Sequence, residues 1–485
     1  MAKRRRSPAK KAPHQKPELD LTEQIESSSD EEEPALETDD SSSDEEDLET
    51  KKVRLAREYL DRLEGDEGSS SEEEDDEDEE EDDRVSRKLQ RERLKREGTF
   101  FREIADGVQS RLAALSSECG TTTASWVEQG HISYLRGHDL SVTSVALQSD
   151  GRRAVSGSKD HSVLLWDLET SQRIGTLAQH WKKTNESRTR GEVLSVALSD
   201  EGQYAAVGAR NGTVRIFDVR SSSTSPVQTF TGHKSAVTCL AFRTNTLQLF
   251  SGSEDRTIRH YNLQEMMYLE TLYGHQFAVS DIDCHRQERP ISVGRDRTAR
   301  AWKLAEDTHL IFRGGARLPP ADAVAVTQDK WFATGHEDGQ LCLWMTEKKR
   351  AVATQTHGSL GVVSLEALAS SDLLASGSSD GYLRFWKARM GPTLDERGLD
   401  AIGSVPMPGY INDITFGPKA NICVLALGRE HRLGRWNPLK NAKNRLAVIR
   451  LGDHDTTKDS DEEEDPRDDD ENGDDTSRSS GESDE

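Results

Sequence analysis

A histidine, a serine and an acid occur together in this chain in an arrangement that an acyl-transfer enzyme could use. His138, Ser156 and Asp160 form the first set, and Trp166 follows the acid by six positions. A histidine oriented by a carboxylate can activate a serine hydroxyl for nucleophilic attack. The same residue types recur further along the chain at His233, Ser251 and Asp255. Because an enzyme needs one such centre, the repetition predicts a structural role rather than a catalytic one.

No other arrangement in the sequence indicates catalysis, a metal or a cofactor. The chain has no HExxH pair, no GxxxxGK[ST] loop and no GxGxxG opening a helix. Its five cysteines are scattered without a CxxC pair, which is typical of a reducing compartment. They are Cys119, Cys239, Cys284, Cys342 and Cys423. We therefore expect a protein that is not an enzyme and that binds no metal, cofactor or small-molecule substrate.

The acid and the tryptophan of the first set belong to a repeat. Each unit ends in an aromatic residue after a turn rich in glycine, serine and acid, as in SGSKDHSVLLWD at 156–167. The seven aromatics are spaced by 51, 44, 41, 42, 42 and 50 residues, at Trp166, Phe217, Tyr261, Trp302, Trp344, Trp386 and Trp436. Six positions before each lies an acid or an asparagine: Asp160, Asn211, Asp255, Asp296, Asp338, Asp380 and Glu430.

Each unit has the pattern of four short strands joined by tight turns. One such unit cannot bury its own faces, whereas seven stacked around an axis can. The pattern and spacing resemble the WD-repeat family, whose fold is a seven-bladed β-propeller. The resemblance implies an all-β fold over residues 131–452. It also implies that His138, Ser156, Asp160 and Trp166 form a buried hydrogen-bonded tetrad, and that Trp436 is a core residue of the last blade.

Closing such a ring requires an outer strand for the last blade. The stretch HISYLR at 131–136 is predicted to supply it, which would remove an exposed sheet edge. The stretch NRLAVIRL at 444–451 could take that place instead, or pack beside it.

The net charge of −25 is an average over unlike segments. Residues 1–17 carry +7, residues 18–83 carry −28 and residues 453–485 carry −14, which leaves +10 on residues 84–452. Only 33% of the chain is apolar, and no apolar run approaches the length of a membrane-spanning helix. The sequence therefore predicts a basic body between disordered tails, at 1–83 and 453–485, and no membrane partner.

The first tail contains two kinds of signal. The basic residues near its start are typical of a nuclear localisation patch: Lys3, Arg4, Arg5, Arg6, Lys10 and Lys11. Three serine triplets precede acids, as in acidophilic phosphorylation sites, at Ser27, Ser28, Ser29, Ser41, Ser42, Ser43, Ser69, Ser70 and Ser71. Unmodified solvated acid is the alternative for these blocks.

Residues 84–130 have the pattern of basic, amphipathic helices. Ile104, Val108, Leu112 and Leu115 mark the apolar side of the second predicted helix. The segment could pack on the propeller, or it could be an arm that binds RNA or a protein.

Two basic clusters could contact RNA, because phosphates are bound by Lys and Arg and unpaired bases stack on aromatic rings. An insertion in the second repeat carries Lys182, Lys183, Arg188 and Arg190. The last repeat and its exit carry Arg429, His431, Arg432, Arg435, Lys440 and Lys443. Ordinary solvated loops are the alternative.

The whole chain resembles the WD-repeat proteins of the U3 small nucleolar ribonucleoprotein. The resemblance rests on the basic start, the serine-acid blocks, the stretch GTFFREIADGVQSRL at 98–112, the seven repeats and the acidic tail. It implies a nucleolar, non-enzymatic subunit of the U3 box C/D particle. The implied partners are U3 small nucleolar RNA, a kink-turn-binding protein and other small-subunit processome proteins, and the implied process is maturation of 18S ribosomal RNA. A nuclear protein-interaction adaptor without RNA contact is the alternative.

Overall fold

The computed structural model describes residues 93, 101–119, 123–178, 191–221, 223–314, 318–358, 360–391, 393 and 396–452. The basic start, the serine triplets, the second-repeat insertion and the acidic tail at 453–485 lie outside them. Two α-helices precede the repeats: α1 spans Ala105–Cys119 and α2 spans Thr123–Glu128. Two short 3-10 helices occupy Leu304–Glu306 and Pro418–Ala420.

Within the described residues, 28 strands form seven four-stranded antiparallel sheets, the blades of a β-propeller. In each sheet the strands are given from the innermost outward.
Blade 1 contains β2 (Val142–Leu147), β3 (Arg153–Ser158), β4 (Val163–Asp167) and β5 (Gln172–Ala178). Blade 2 contains β6 (Val193–Leu198), β7 (Tyr204–Ala209), β8 (Thr213–Asp218) and β9 (Gln228–Thr231). Blade 3 contains β10 (Val237–Phe242), β11 (Gln248–Ser253), β12 (Thr257–Asn262) and β13 (Met267–Tyr273). Blade 4 contains β14 (Val279–Asp283), β15 (Ile291–Gly294), β16 (Ala299–Lys303) and β17 (Thr308–Phe312).
Blade 5 contains β18 (Ala321–Gln328), β19 (Trp331–His336), β20 (Gln340–Met345) and β21 (Ala353–Thr356). Blade 6 contains β22 (Val362–Ala367), β23 (Leu373–Ser378), β24 (Tyr382–Met390) and β25 (Arg397–Pro406). Blade 7 contains β26 (Tyr410–Phe416), β27 (Ile422–Gly428), β28 (Arg445–Arg450) and β1 (Ile132–Leu135).

The turn between the second and third strands has one geometry in six blades. The residue after the repeated acid or asparagine has a positive φ, at His161, Gly212, Arg256, Arg297, Gly339 and Gly381. Glycine adopts this conformation without strain, whereas His161, at φ 70°, is held there by the surrounding turn. In blades 1, 3 and 4 the turn places the acid beside the histidine that precedes the same blade.

The core lies between neighbouring blades, because each sheet is apolar on both faces. Val155 and Leu165 of blade 1, for example, pack against Val193 and Phe217 of blade 2. Outermost strands are more exposed, as in β5, where the first three residues are solvated. Seven blades in a ring thus bury faces that no single repeat could bury.

The ring is closed by a strand from before the first blade. Strand β1 pairs antiparallel with β28, with Ile132 opposite Ile449 and Leu135 opposite Leu446. The prediction that HISYLR supplies the outer strand is therefore confirmed. Residues 445–450 pack beside it as the third strand of blade 7.

The expectation that Trp436 is a core residue is wrong. It lies in the long connection between β27 and β28, and 54% of its surface is exposed. The position that Trp166 occupies in blade 1, opposite Ala154, is taken in blade 7 by Ile449, opposite Cys423. Both blade-7 residues are fully buried, so hydrocarbon packing replaces the aromatic in this blade.

Helix α1 packs on the propeller, which favours the first of the two alternatives for this segment. Its apolar side, Ile104, Val108, Leu112 and Leu115, is at most 5% exposed and lies against blades 6 and 7. Burial of such a side chain contributes about 1.5–3 kcal/mol to stability. Asp372 of blade 6 caps the helix by accepting hydrogen bonds from the backbone of Ile104 at 2.8 Å and Ala105 at 3.1 Å.

Candidate nucleic-acid interface

The first histidine-serine-acid set forms one buried hydrogen-bonded network. Ser156 Oγ accepts from Trp166 Nε1 at 2.7 Å and lies 2.7 Å from His138 Nε2. His138 Nδ1 lies 2.8 Å from Ser162 Oγ and 3.5 Å from the Asp160 carboxylate. Burial would raise the pKa of Asp160, but hydrogen bonds from His138 and Ser162 outweigh it and hold that pKa well below its ordinary value.

The network recurs in blades 3 and 4, where the histidine Nδ1 bonds directly to the acid. In blade 4 the ring nitrogens of His275 lie 2.9 Å from Asp296 and 2.7 Å from Ser292. Trp302 donates to Ser292 at 2.9 Å. Blade 3 holds an equivalent set at His233, Ser251 and Asp255. Each serine is fully buried, so a substrate could not reach it, and each network ties the strands of its own blade together.

The exposed basic residues of the last repeat lie on one side of the ring, which we call the upper face. It carries the turn at Ser158–Ser162, the described end of the β5–β6 connection at Gly191 and Glu192, and the connection between β27 and β28. The insertion with Lys182, Lys183, Arg188 and Arg190 lies in the β5–β6 connection, outside the described residues. The described residues resume at Gly191, near the end of that connection. The carbonyl oxygen of Gly191 lies 2.7 Å from His161 Nδ1. The described end of this connection therefore lies on the same face as the turn at Ser158–Ser162.

The connection between β27 and β28, residues 429–444, forms a cationic loop. Arg429, Arg435, Lys440 and Lys443 are all exposed in it. Arg435 is 58% exposed and donates to Glu192, beside the insertion, at 2.8 Å. The loop from the last blade thus contacts the residue that follows the insertion.

Three aromatic rings are stacked within this loop and its base. The ring centroids of Tyr410 and His431 are 3.9 Å apart with a 31° angle between planes, and those of His431 and Trp436 are 5.6 Å apart at 27°. Tyr410 also donates to the carbonyl oxygen of Asn437 at 2.9 Å. A Cβ on Gly434 would lie 1.5 Å from the indole ring, so only glycine lets Trp436 lie over the backbone.

A buried lysine from blade 1 anchors the loop. Lys159 Nζ donates to the carbonyl oxygens of His431 at 2.5 Å and Gly434 at 2.6 Å, and lies 3.5 Å from Glu430. Its side chain has no exposed surface. Burial lowers the pKa of Lys159, although Glu430 opposes that shift. The ammonium group is retained because oxygen atoms surround it.

Arg432 does not belong to the exposed cluster in which the sequence placed it. It is only 9% exposed and donates to the carbonyl oxygen of Ser280 at 3.1 Å, inside the central channel. Its charge faces the carboxylates of Asp281 and Asp413. These groups would lose their compensating charge if Arg432 turned outward, so it is not available to an RNA phosphate.

The channel carboxylates link neighbouring blades. Asp281 accepts from the backbone of Val324 at 3.0 Å, and Asp413 accepts from that of Val145 at 3.0 Å. Burial raises the pKa of Asp281 to about 7, although Arg432 opposes the shift. No group of three or more His, Cys, Asp or Glu side chains in the described ranges could hold a metal ion.

Comparison with known proteins shows the family. The family model of the nucleolar protein 10-like N-terminal domain matches residues 105–287, and that of the WD domain, G-beta repeat, matches 349–387. Human U3 small nucleolar RNA-interacting protein 2 is 33% identical over 422 residues, which span 84% of this chain and 83% of that protein. The chain belongs to the U3-associated WD-repeat family.

Further relatives of the U3-associated WD-repeat family agree in sequence and in fold. Ribosomal RNA-processing protein 9 of Saccharomyces cerevisiae is 29% identical over 329 residues, which span 53% of this chain and 57% of that protein. The solved structure of U3-55K is 34% identical, with a TM-score of 0.60, over 66% of this chain and 98% of that one. The predicted seven-bladed WD-repeat propeller is therefore confirmed.

In this member of the U3-associated WD-repeat family, sequence reasoning missed the residues that shape the cationic loop. Lys159 stands where the other repeats have Arg, Glu or Ser, and only a contact over 272 positions explains it. Tyr410 and Gly434 are equally ordinary in sequence. Neither described helix combines the length and hydropathy that crossing a membrane requires.

Proposed function

We propose that this protein is a non-catalytic RNA- and protein-binding subunit of the U3 box C/D small nucleolar ribonucleoprotein. In this proposal it acts in the nucleolus, in pre-18S ribosomal RNA processing and small-subunit assembly. Its partners are U3 small nucleolar RNA, the kink-turn-binding protein of box C/D particles and other small-subunit processome proteins. Family membership and the names of its relatives support the process.

The observation that carries the RNA contact is the cationic loop. It combines four exposed cations with the aromatic ring of Trp436, which its neighbours in the loop hold in place. The Ser-His-Asp sets, in contrast, are buried. Lys and Arg bind phosphates, and aromatic rings accept unpaired bases. We place the RNA contact on the upper face, with Arg429, Arg435, Lys440 and Lys443 on the loop and Lys182, Lys183, Arg188 and Arg190 in the insertion. His431 supports this surface through its ring.

The test is RNA binding by a charge-reversed loop. The variant Arg429→Glu, Lys440→Glu, Lys443→Glu is compared with the parent for binding to the U3 box B/C element in the presence of the kink-turn-binding protein. Each lost phosphate contact should flatten the salt dependence, by roughly 0.7–0.9 in the slope of log affinity against log salt. The matched control reverses Lys348, Lys349 and Arg350, which are exposed on the turn between β20 and β21.

Equal affinity of the parent and the loop variant at every salt concentration would reject this RNA contact. Retained capture of nuclear proteins in that case would favour the alternative function, a protein-interaction adaptor without RNA contact. A second variant, with Lys182, Lys183, Arg188 and Arg190 changed to Glu, tests the insertion separately.

Two further parts of the proposal concern residues outside the described ranges. Lys3, Arg4, Arg5, Arg6, Lys10 and Lys11 would direct nuclear import, and their replacement by Ala should leave the protein in the cytoplasm. The serine triplets at 27–29, 41–43 and 69–71 would be phosphorylated, which mass spectrometry of the protein from cells would detect.

A further inference from the structure

Trp436 differs from every other tryptophan among the described residues. The other six, at positions 126, 166, 302, 331, 344 and 386, are 2–5% exposed, whereas Trp436 is 54% exposed. It belongs to none of the seven apolar clusters of the described residues. Its indole therefore contributes little to the core, although the surrounding chain holds it in place.

The ring is held by its neighbours in the loop, yet 54% of its surface is exposed, and we call this exposed part its open side. His431 stacks on one side at 5.6 Å, and Gly434 lies close to the ring. Lys159 donates to the carbonyl oxygens of His431 and Gly434. These residues flank the buried Arg432 in sequence, so the bonds fix the loop before and after it. A ligand that stacks on the open side would meet a surface that is already ordered, so it would lose little conformational entropy.

The open side borders a recess at the upper mouth of the central channel. The recess is open to solvent and has about 760 Å³ of empty space when its open part is included. Trp436, Leu433 and Val363 supply apolar walls. Its polar groups include donors and acceptors, at Arg295, Asp322, Glu337 and Ser379. Such a site can accept a flat ring by its face and offer hydrogen bonds to its edge.

We propose that the recess beside Trp436 binds an unpaired nucleobase, which stacks on the indole ring. The charge around the ring identifies the class of ligand. Arg429, Lys440 and Lys443 of the same loop attract a polyanion. A nucleic-acid strand that is held by its phosphates brings its bases to the ring. This inference rests on the proposed RNA-binding function and adds the group that is recognised. Arg295 and Glu337 supply complementary donors and acceptors for the base edge.

The first experiment measures binding through the tryptophan itself. In a Trp181→Phe background, single-stranded RNA hexamers that differ in one central base are titrated into the protein, and tryptophan fluorescence is followed. Because the other described tryptophans are buried, quenching reports stacking on Trp436. We expect saturable quenching, lost in Trp436→Ala. Absence of quenching by every hexamer would overturn the inference.

The second experiment separates stacking from charge. Trp436→Ala should weaken binding to the U3 element with the kink-turn-binding protein by roughly 5- to 100-fold, the range for loss of one stacked base. Trp436→Phe should restore most of the affinity, and the salt slope should stay unchanged because no phosphate contact is removed. Tyr268→Ala is the control, since Tyr268 is an aromatic on the outer strand β13 with 42% exposure.

The outcomes distinguish this inference from the function on which it rests. If the charge-reversed loop weakens RNA binding but Trp436→Ala does not, the RNA contact stands and the nucleobase site is rejected. If neither variant weakens binding, both proposals fail. If Trp436→Ala leaves RNA binding intact and removes only binding of a processome protein, the recess binds protein, which also rejects the nucleobase site.

Discussion

The ammonium group of Lys159 in blade 1 lies 2.5 Å from the carbonyl oxygen of His431 in blade 7, across 272 positions of sequence. This bond joins the first and last repeats on the upper face, in addition to the strand pairing that closes the ring. It also sets the conformation of the cationic loop, because Gly434 accepts a second bond from the same group.

Lys159→Met should therefore loosen the loop while the propeller remains folded. Methionine has a similar length but cannot donate, so two buried carbonyl groups lose a partner at about 1–3 kcal/mol each when water cannot replace it. Acrylamide quenching of Trp436 in the Trp181→Phe background should increase, and RNA affinity should fall. Lys330→Met is the control, because Lys330 is 69% exposed. Unchanged quenching in Lys159→Met would show that the loop does not need this anchor.

Two tryptophans fifty positions apart should differ sharply in their contribution to stability. Trp386 is 3% exposed and donates to Ser376 at 2.7 Å, so Trp386→Ala should lower the free energy of unfolding by about 3–5 kcal/mol. Trp436→Ala should change it by no more than about 0.5 kcal/mol, as at other exposed sites. Urea unfolding followed by circular dichroism measures both. A large loss in Trp436→Ala would contradict its placement outside the core.

Asp281 should make stability depend on pH. Burial raises its pKa to about 7 in the folded protein, against about 3.9 for an unfolded chain. The folded state therefore binds the Asp281 proton more tightly than the unfolded state does. The resulting stabilisation of the folded protein is complete below pH 4 and is lost as pH rises to about 7. Asp281→Asn should flatten this fall, which has a limit of about 1.4 kcal/mol per pH unit. Urea unfolding between pH 4.5 and 8 measures it.

The matched control for that series is Asp338→Asn on the exposed turn of blade 5. It should leave the pH profile parallel to that of the parent. Parallel profiles for Asp281→Asn as well would mean that Asp281 keeps its charge in the channel, held by Arg432.

Removing the cap from α1 should release the helix from blade 6. Asp372→Ala loses two hydrogen bonds to the helix N-terminus, and loss of such a cap costs about 0.5–2 kcal/mol. Amide hydrogen exchange over residues 105–115 should accelerate, while exchange in β22 to β24 stays slow. Asp400→Ala, which removes a 51% exposed carboxylate, is the control. Equal exchange in both variants would show that α1 stays on blade 6 without this cap, through its apolar side and the ion pair between Asp106 and Lys387.

The repeat itself could be predicted from the sequence because its cause is local. In six blades the turn after the second strand needs an acid or asparagine, which recurs at a fixed offset from the closing aromatic. The residue after it varies between His, Arg and Gly, although its φ is always positive. The closing strand was predictable for a related reason: the last blade needed an outer strand, and HISYLR precedes the first repeat.

Trp436 shows where this reasoning fails. It lies six positions after Glu430 and continues the aromatic series, so the pattern includes it. The blade, however, requires a buried side chain opposite Cys423, and Ile449 provides that from a strand further along. Arg432 fails for a different reason, since it lies in a basic stretch of sequence and only its path into the channel buries it. Long-range contacts of this kind leave no local signal.

The pairing of Ile132 with Ile449 also determines when the ring can form. These two residues are 317 positions apart, and blade 7 lacks its outer strand until both have been synthesised. At about 5–20 residues per second, a ribosome needs roughly 15–65 s to make the intervening chain. Until Ile449 is made, β1 has no strand to pair with, and the blades already synthesised can form only an open arc. The nascent chain therefore exposes a free β-strand for that whole interval, and such a strand can pair with another chain.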